Sequence, residues 1–364
     1  MIILDRYIMR NYALGMVPVL LLLLALFSFV ALAGELEQVG QGAFTAFDAV
    51  LVVLYTTPRR IVDLLPVTAL MGGLMGLGAM ANHQELIAAR AAGMSKARMA
   101  RPVFHTTLIA AILVVVMQSW LVPSSELEAA DLRARSLAGS GQEVAGEKQF
   151  WTWSGRRIVH VSGVQFNRIL TGVEIYDMDA DGKLARLTEA ERATIAGADT
   201  WLLDAVRHTR LDGMTATEQF QDREQIAGLL TESQADSLVL PVEVLSPQDL
   251  VRNIRHLSDN GLDTQQFRVI FWQQFSIPLA VIALGLLSLP LLVGSTRSLS
   301  ASQRILTGGL VGIGFWLLQQ MTGQLAGLFG LPPGATIMLP VLLLLAIAVA
   351  AQYWHLPGRR GSAT

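Results

Sequence analysis

From Ile305 to Trp354 the chain carries no charged side chain. A helix satisfies its own backbone polar groups and crosses the hydrocarbon core of a bilayer in about 20 residues, so this run is long enough for two spans. GLPPGA at Gly330 to Ala335 is the turn expected between them. Four further runs are built alike: Asn11 to Gly34, Leu64 to Asn82, Pro102 to Ser125 (His105 its single titratable group) and Val269 to Thr296. The second run is expected to begin earlier, near Arg59. The first is too long for a signal-peptide core and lacks a clear small-residue cleavage site, so it reads as a retained span. The result is six spans in a 3 + 3 arrangement around a soluble block.

The chain is 52 % hydrophobic and only 15 % charged, in keeping with several spans. Its formal charge of −2 argues against a nucleic-acid partner, and the absence of cysteine excludes disulfides and thiolate chemistry. Lys and Arg near span ends set orientation. With the N-terminus inside, the inner segments hold Arg6, Arg10, Arg90, Lys96, Arg98, Arg101, Arg297, Arg304, Arg359 and Arg360, while the short outer loops hold Glu35, Glu37 and Asp48. Both termini are therefore expected in the cytoplasm and the central block in the periplasm of a Gram-negative cell.

That block divides the chain as 1–125, 126–245, 246–268 and 269–364. Within 126–245, Phe150 to Val164, Leu170 to Asp179 and Trp201 to Gly213 cluster or alternate β-branched and aromatic residues, with a turn at Asp179 to Lys183. The expected fold class is an α-helical membrane protein with an inserted all-β, jelly-roll-like periplasmic domain. In 246–268 a capped helix is expected, with Ser246 at the N-cap, Pro247 following it, Leu250, Ile254 and Leu257 on one face and Gly261 ending it.

No GxxxxGK[ST], HExxH or GxSxG occurs, and the histidines stand singly. An enzyme is disfavoured, and no cofactor or metal is expected. Three features remain. HQELIAARAAGMSKAR at His83 to Arg98 lies between two spans and reads as a short helix over Gln84 to Ala92, stopped by Gly93. Positive-inside anchoring explains Lys96, Arg98 and Arg101, but not so strong a helix former, which suits a cytoplasmic partner. Arg59, Arg60, Arg133 and Arg135 place basic charge on the outer side, for a local carboxylate such as Glu126 or Asp131, or for the phosphates of an anionic lipid. Glycines in Gly72 to Ala81 and at 308, 309, 312 and 314 permit close helix approach.

LDRYI at Leu4 to Ile8, VGQGA at Val39 to Ala43, LPVTALMGGLMGLGAMA at Leu65 to Ala81, QELIAARAAGMS at Gln84 to Ser95, Leu245 to Ala280 and RSLSASQRILTG at Arg297 to Gly308 stand in the order found in one family. The chain resembles the LptF/LptG permeases of the lipopolysaccharide exporter. Its start and the segment Leu245 to Ala280 favour the LptG branch, the LptF role being the alternative. A mechanotransmitting scaffold and a membrane-anchored periplasmic enzyme are more distant readings; the first is opposed by the 3 + 3 count, the second by the lack of a catalytic constellation.

The resemblance implies an ABC transporter in which this chain pairs with an LptF-type permease above an LptB-type ATPase dimer. Lipopolysaccharide would enter a cavity between the permeases and pass upward to an LptC-type bitopic protein and an LptA-type periplasmic bridge. The stretch after the second span matches the family's coupling helix, about 83–93, with Glu85 the docking glutamate and Leu86, Ile87 and Arg90 beside it. The resemblance places Phe27, Val30, Leu317 and Met321 in the cavity. Where family members carry lysines at the outer end of the first span, this chain has Ala31, Glu37 and Gln38. Arg133 matches a family arginine near the lipid phosphates, and Arg135, Arg59 and Arg60 are possible substitutes for the lost charge.

Overall fold

In a computed structural model of the chain, the described residues are 2–137, 150–154, 157–165, 169–179, 183–195, 200–212, 215–227, 242–259, 263–294 and 301–353. Gly261, Arg297, Arg359 and Arg360 lie outside them, as do the side chains of Ile87, Lys96 and Arg304. The helices are α1 (Ile2–Leu36), α2 (Ala46–Tyr55), α3 (Thr57–Asn82), α4 (Glu85–Ala91), α5 (Lys96–Val116), α6 (Val122–Leu137), α7 (Pro247–Asp259), α8 (Gln265–Gly294), α9 (Ala301–Leu328) and α10 (Pro333–Tyr353). A π-helical turn, Met117–Leu121, joins α5 to α6. Among the described residues six helices are long and apolar enough to cross a membrane: Ile3–Leu36, Thr57–Asn82, Arg98–Leu137, Gln265–Leu292, Ile305–Leu328 and Pro333–Gln352.

The chain forms two compact units. The first comprises Met1–Val30, Thr57–Val122 and Asp263–Thr364, and α3 is its centre. Different faces of α3 meet different helices. Gly72 and Gly76, four apart, lie under Met16 and Asn11 of α1, and a Cβ built on Gly72 would stand 2.5 Å from the Met16 Cα. Gly73 faces Ser288 of α8, while Met71, Leu74 and Val67 receive Gly308 and Gly312 of α9. Small residues let backbones approach where lipid gives no hydrophobic incentive to associate. The Tyr12 hydroxyl, buried at this crossing, donates to the Ala69 carbonyl at 2.6 Å. Elsewhere the Gln319 amide of α9 donates to Ser276 Oγ of α8 at 2.6 Å.

The second unit comprises Ala31–Thr56 and Pro123–Leu262. Thr45 caps α2: its hydroxyl accepts from the Asp48 amide at 3.3 Å and Asp48 Oδ2 accepts from the Thr45 amide at 2.8 Å. The Thr45 amide, and after it the Thr45 hydroxyl donating to the same carboxylate at 2.7 Å, hold the Asp48 carboxyl below its usual range. Phe44, Ala49 and Val52 pack with Ala129 and Leu137 of α6 into a small core. α7 forms as expected, with Ser246 Oγ accepting from the Asp249 amide at 3.2 Å and Leu250 fully buried.

Between α6 and α7 the described residues form one antiparallel sheet in plain meander order, β1 (Phe150–Ser154), β2 (Arg157–Gln165), β3 (Ile169–Met178), β4 (Leu184–Ile195), β5 (Thr200–Asp212) and β6 (Thr215–Ala227). Its core joins Val159, Val161, Leu170, Val173, Ile175, Ala190, Ala193, Trp201, Leu203 and Val206. Strict alternation cannot bury residues three apart, yet Leu170 and Val173, Ala190 and Ala193, and Leu203 and Val206 are all buried pairs. Gly172 at φ +60° and Ala205 at φ +54° turn the backbone between the members of two of these pairs. The strands thus flip face along one row, and the core stays continuous.

Alanine in the left-handed region carries a penalty of about 1–2 kcal/mol that glycine escapes. Ala205→Gly should therefore stabilise the sheet by about 1 kcal/mol, visible as raised amide-exchange protection in β5. Lower protection in that variant would mean that Ala205 is not under backbone strain.

Candidate functional site

The short helix after α3 is shaped by its ends. Gln84, expected inside the helix, instead adopts φ +59° and turns the chain out of α3. At the far end the Met94 amide donates to the Ala89 carbonyl at 3.1 Å and the Gly93 amide to the Arg90 carbonyl at 3.0 Å, with Gly93 at φ +90°. This pair of bonds is a Schellman motif, whose left-handed position favours glycine. The Ser95 hydroxyl then accepts from the Arg98 amide to start α5. α4 is therefore stopped sharply on both sides.

One face of α4 is seated on the chain itself. Leu86 is 5 % exposed and Ala89 9 %, so Leu86 anchors the helix rather than presenting itself. Arg90 lies exposed. Glu85 is half-buried: its Oε1 accepts from the Tyr7 hydroxyl of α1 at 3.1 Å, while Oε2 is buried with no hydrogen-bond partner. A buried acceptor left unmade costs about 1–3 kcal/mol, so Glu85 holds back part of its binding capacity.

The four arginines expected on the outer side are all engaged. Arg133 forms a two-pronged pair with Glu35 at the end of α1, at 3.2 Å from Nε and 2.5 Å from Nη2, and the Glu35 side chain is only 13 % exposed. Arg135 pairs with Asp131, the local carboxylate expected for it, and Arg59 lies 3.8 Å from Asp63 one turn away. Arg60 also has an interacting partner. Glu35 is the partner that sequence reasoning missed, since 98 residues separate it from Arg133.

Phe27 and Val30, one turn apart on α1, are 49 % and 62 % exposed; Leu317 and Met321, one turn apart on α9, are 49 % and 59 % exposed. Both helices pack on α3, through Gly15 in one case and Gly308 and Gly312 in the other. Phe27 and Val30 thus form one exposed apolar patch and Leu317 and Met321 a second, on the two helices that flank α3.

Polar clusters on the sheet are paired internally. The Tyr176 hydroxyl donates to Glu174 at 2.6 Å, and this bond, with partial burial and nearby carboxylate charge, pushes its pKa up to about 12. His160 also meets Glu174 and stacks on Trp151. Thr188, His208 and Glu224 form a chain of contacts at 3.0 and 2.8 Å, but Thr188 is 2 % exposed and out of reach of a substrate. Among the described residues no group of three or more acidic residues or histidines could hold a metal ion.

Among the described residues, six membrane-length helices, a β domain inserted between the third and fourth, and a tightly delimited helix between the second and third define a multi-pass membrane protein. The family model for lipopolysaccharide export system permease LptF/LptG matches residues 6–354, and the chain belongs to that family. It is 28 % identical to the lipopolysaccharide export system permease protein LptG of Haemophilus influenzae over 98 % of this chain and 99 % of the relative. Against LptG of Escherichia coli K12 the figures are 26 %, 93 % and 94 %. Against LptF of the same strain they are 23 %, 98 % and 97 %. The family and the six helices make it a multi-pass inner-membrane protein.

Proposed function

We propose that this chain is the LptG-type permease of a lipopolysaccharide-exporting ABC transporter, working as a heterodimer with an LptF-type permease. The observation that carries the reading is the likeness to LptG proteins along nearly the whole chain, through spans and β domain alike. ATP hydrolysis belongs to a separate LptB-type ATPase dimer, because the sequence has no P-loop motif. The termini and α4 face the cytoplasm and the β domain the periplasm, following the distribution of Lys and Arg. α4 is the coupling helix, about 83–93. It brings Glu85 and Arg90 to the ATPase, with Leu86 seating it and Ile87 on the same short helix. The β domain passes lipid to an LptC-type protein and an LptA-type bridge.

Phe27, Val30, Leu317 and Met321 meet the acyl chains of the lipid, which suits their exposure on helices flanking α3. Arg133, with Arg135, Arg59 and Arg60, meets anionic headgroups. Because Arg133 is already held by Glu35, a phosphate binds it in competition with that carboxylate. The test is purification from membranes: the chain should come out with an ATPase and a second six-span permease, and lipopolysaccharide should change the ATPase rate. A chain recovered alone, or a complex indifferent to the lipid, would sink the proposal.

The Arg133 role has its own check. Arg133→Ala strands the mostly buried Glu35 and should cost about 1–3 kcal/mol of stability. Removing Glu35 as well should restore most of it. A thermal melt reads that part; a photocrosslink to lipopolysaccharide reads the other. If the double variant crosslinks as the parent does, Arg133 is a structural partner of Glu35 and nothing more.

A further inference from the structure

We infer that Tyr7 is a positioning residue for energy coupling: its hydroxyl ties the first span directly to Glu85, so that displacement of α4 is delivered to α1 without passing through α3. The inference rests on the reading of α4 as the coupling helix. Tyr7 and Glu85 are 78 residues apart, and their hydrogen bond of 3.1 Å crosses from α1 to α4. Tyr7 is 41 % exposed, so this bond is not a by-product of core packing. It leaves the second carboxylate oxygen buried and without a hydrogen bond.

The attachment point on α1 matters. One turn beyond Tyr7, Asn11 donates from its amide to the Tyr7 carbonyl, and the Asn11 carbonyl lies over Gly76 of α3. Tyr12 and Gly15 continue the same contact against Ala69 and Gly72. The tie therefore meets α1 one turn before a tight backbone crossing that serves as a fulcrum. The exposed positions Phe27 and Val30 lie about 18 and 22 Å beyond Gly15 at 1.5 Å per residue. A push on Glu85 moves the Tyr7 end of α1, and the crossing transfers that motion to the end that meets lipid. The preceding residue Gln84, in its left-handed conformation, fixes the direction in which Glu85 leaves α3.

The experiment compares Tyr7→Phe with Tyr7→Ala and Glu85→Ala in the reconstituted complex with its second permease and ATPase, measuring ATPase association, basal hydrolysis and lipopolysaccharide released per ATP. Tyr7→Phe keeps the ring and should retain association and basal hydrolysis, while lipid released per ATP falls about threefold to tenfold, as expected for the loss of one solvent-exposed hydrogen bond. If Tyr7→Phe transports as the parent does and only Tyr7→Ala fails, the ring alone matters and the tie is refuted. Loss of ATPase association in Tyr7→Phe would also refute it, because Tyr7 would then merely seat α4. A Glu85→Ala variant that binds and transports normally would instead overturn the coupling-helix reading beneath it.

Discussion

Glu85→Ala should weaken ATPase association by about tenfold or more, or uncouple hydrolysis from export, while the chain inserts and folds as before. The two halves of that expectation come from the two oxygens of the carboxylate. One accepts from Tyr7, whose hydroxyl is exposed enough to turn to water, and the other has no partner in the chain. Removing the side chain thus leaves no buried donor stranded, and relief of the unpaired oxygen offsets the lost Tyr7 hydrogen bond, so stability should fall by no more than about 0.5 kcal/mol. If α4 docks on an ATPase as proposed, a cationic donor that meets this carboxylate there would lose a charge-assisted bond worth about 1.5–3 kcal/mol, which is roughly ten- to a hundredfold in affinity. Leu86→Ala is the contrasting variant. Leu86 is 5 % exposed, so its truncation should cost about 2–5 kcal/mol of stability and disturb α4 as a whole. Binding constants and melts of the two variants separate a contact from a foundation. Equal affinity and equal export in Glu85→Ala would end the assignment of α4.

The parts of this site that a linear reading reaches are those governed by local rules. Gly93 could be placed because a helix stop at a left-handed residue favours glycine, and the Schellman bonds of Met94 and Gly93 form there. Gln84 could not, since nothing in its side chain announces φ +59°; the geometry of leaving α3 imposes it. The six spans were legible because the bilayer tolerates few ways of satisfying a backbone. Ser246 and Pro247 announced α7 for the same local reason.

The sheet was legible only in part. β2, β3 and β5 bury Val, Ile, Leu and Trp, which leave a pattern. β4 turns Thr188, Ala190 and Ala193 inward, and β6 contributes Ile226, so small or single apolar side chains carry no strand signal. The face flip at Gly172 and Ala205 also breaks the period of two on which such a reading depends. The Arg133–Glu35 pair lay beyond reach for another reason. Its partners meet through tertiary packing of α1 and α6, and charge spacing along the chain contains no trace of it.

The crossing of α1 on α3 supports the last expectation, a contrast between glycines that look alike in the sequence. A Cβ on Gly76 would meet the carbonyl of Asn11, and one on Gly72 the Met16 Cα; both obstacles are backbone, which cannot rotate away as a side chain does. Gly314 of α9 has no such neighbour within 4 Å. Gly76→Leu should therefore drive α1 off α3 and cost about 3 kcal/mol or more, since overpacking without relief costs at least the usual 1–3 kcal/mol and the Tyr12–Ala69 hydrogen bond goes with it. Gly314→Leu should lie within about 0.5 kcal/mol of the parent. Thermal melts of the purified complex read the difference. The chain has no cysteine, so a single cysteine at Met16, which is buried against Gly72, can report on the same crossing by its access to a thiol reagent. Reactivity at that position should rise when Gly76→Leu is added and stay unchanged with Gly314→Leu. Equal melts for the two glycine variants would show that α1 is not held by backbone contact at this crossing, and the fulcrum assigned to it would be lost.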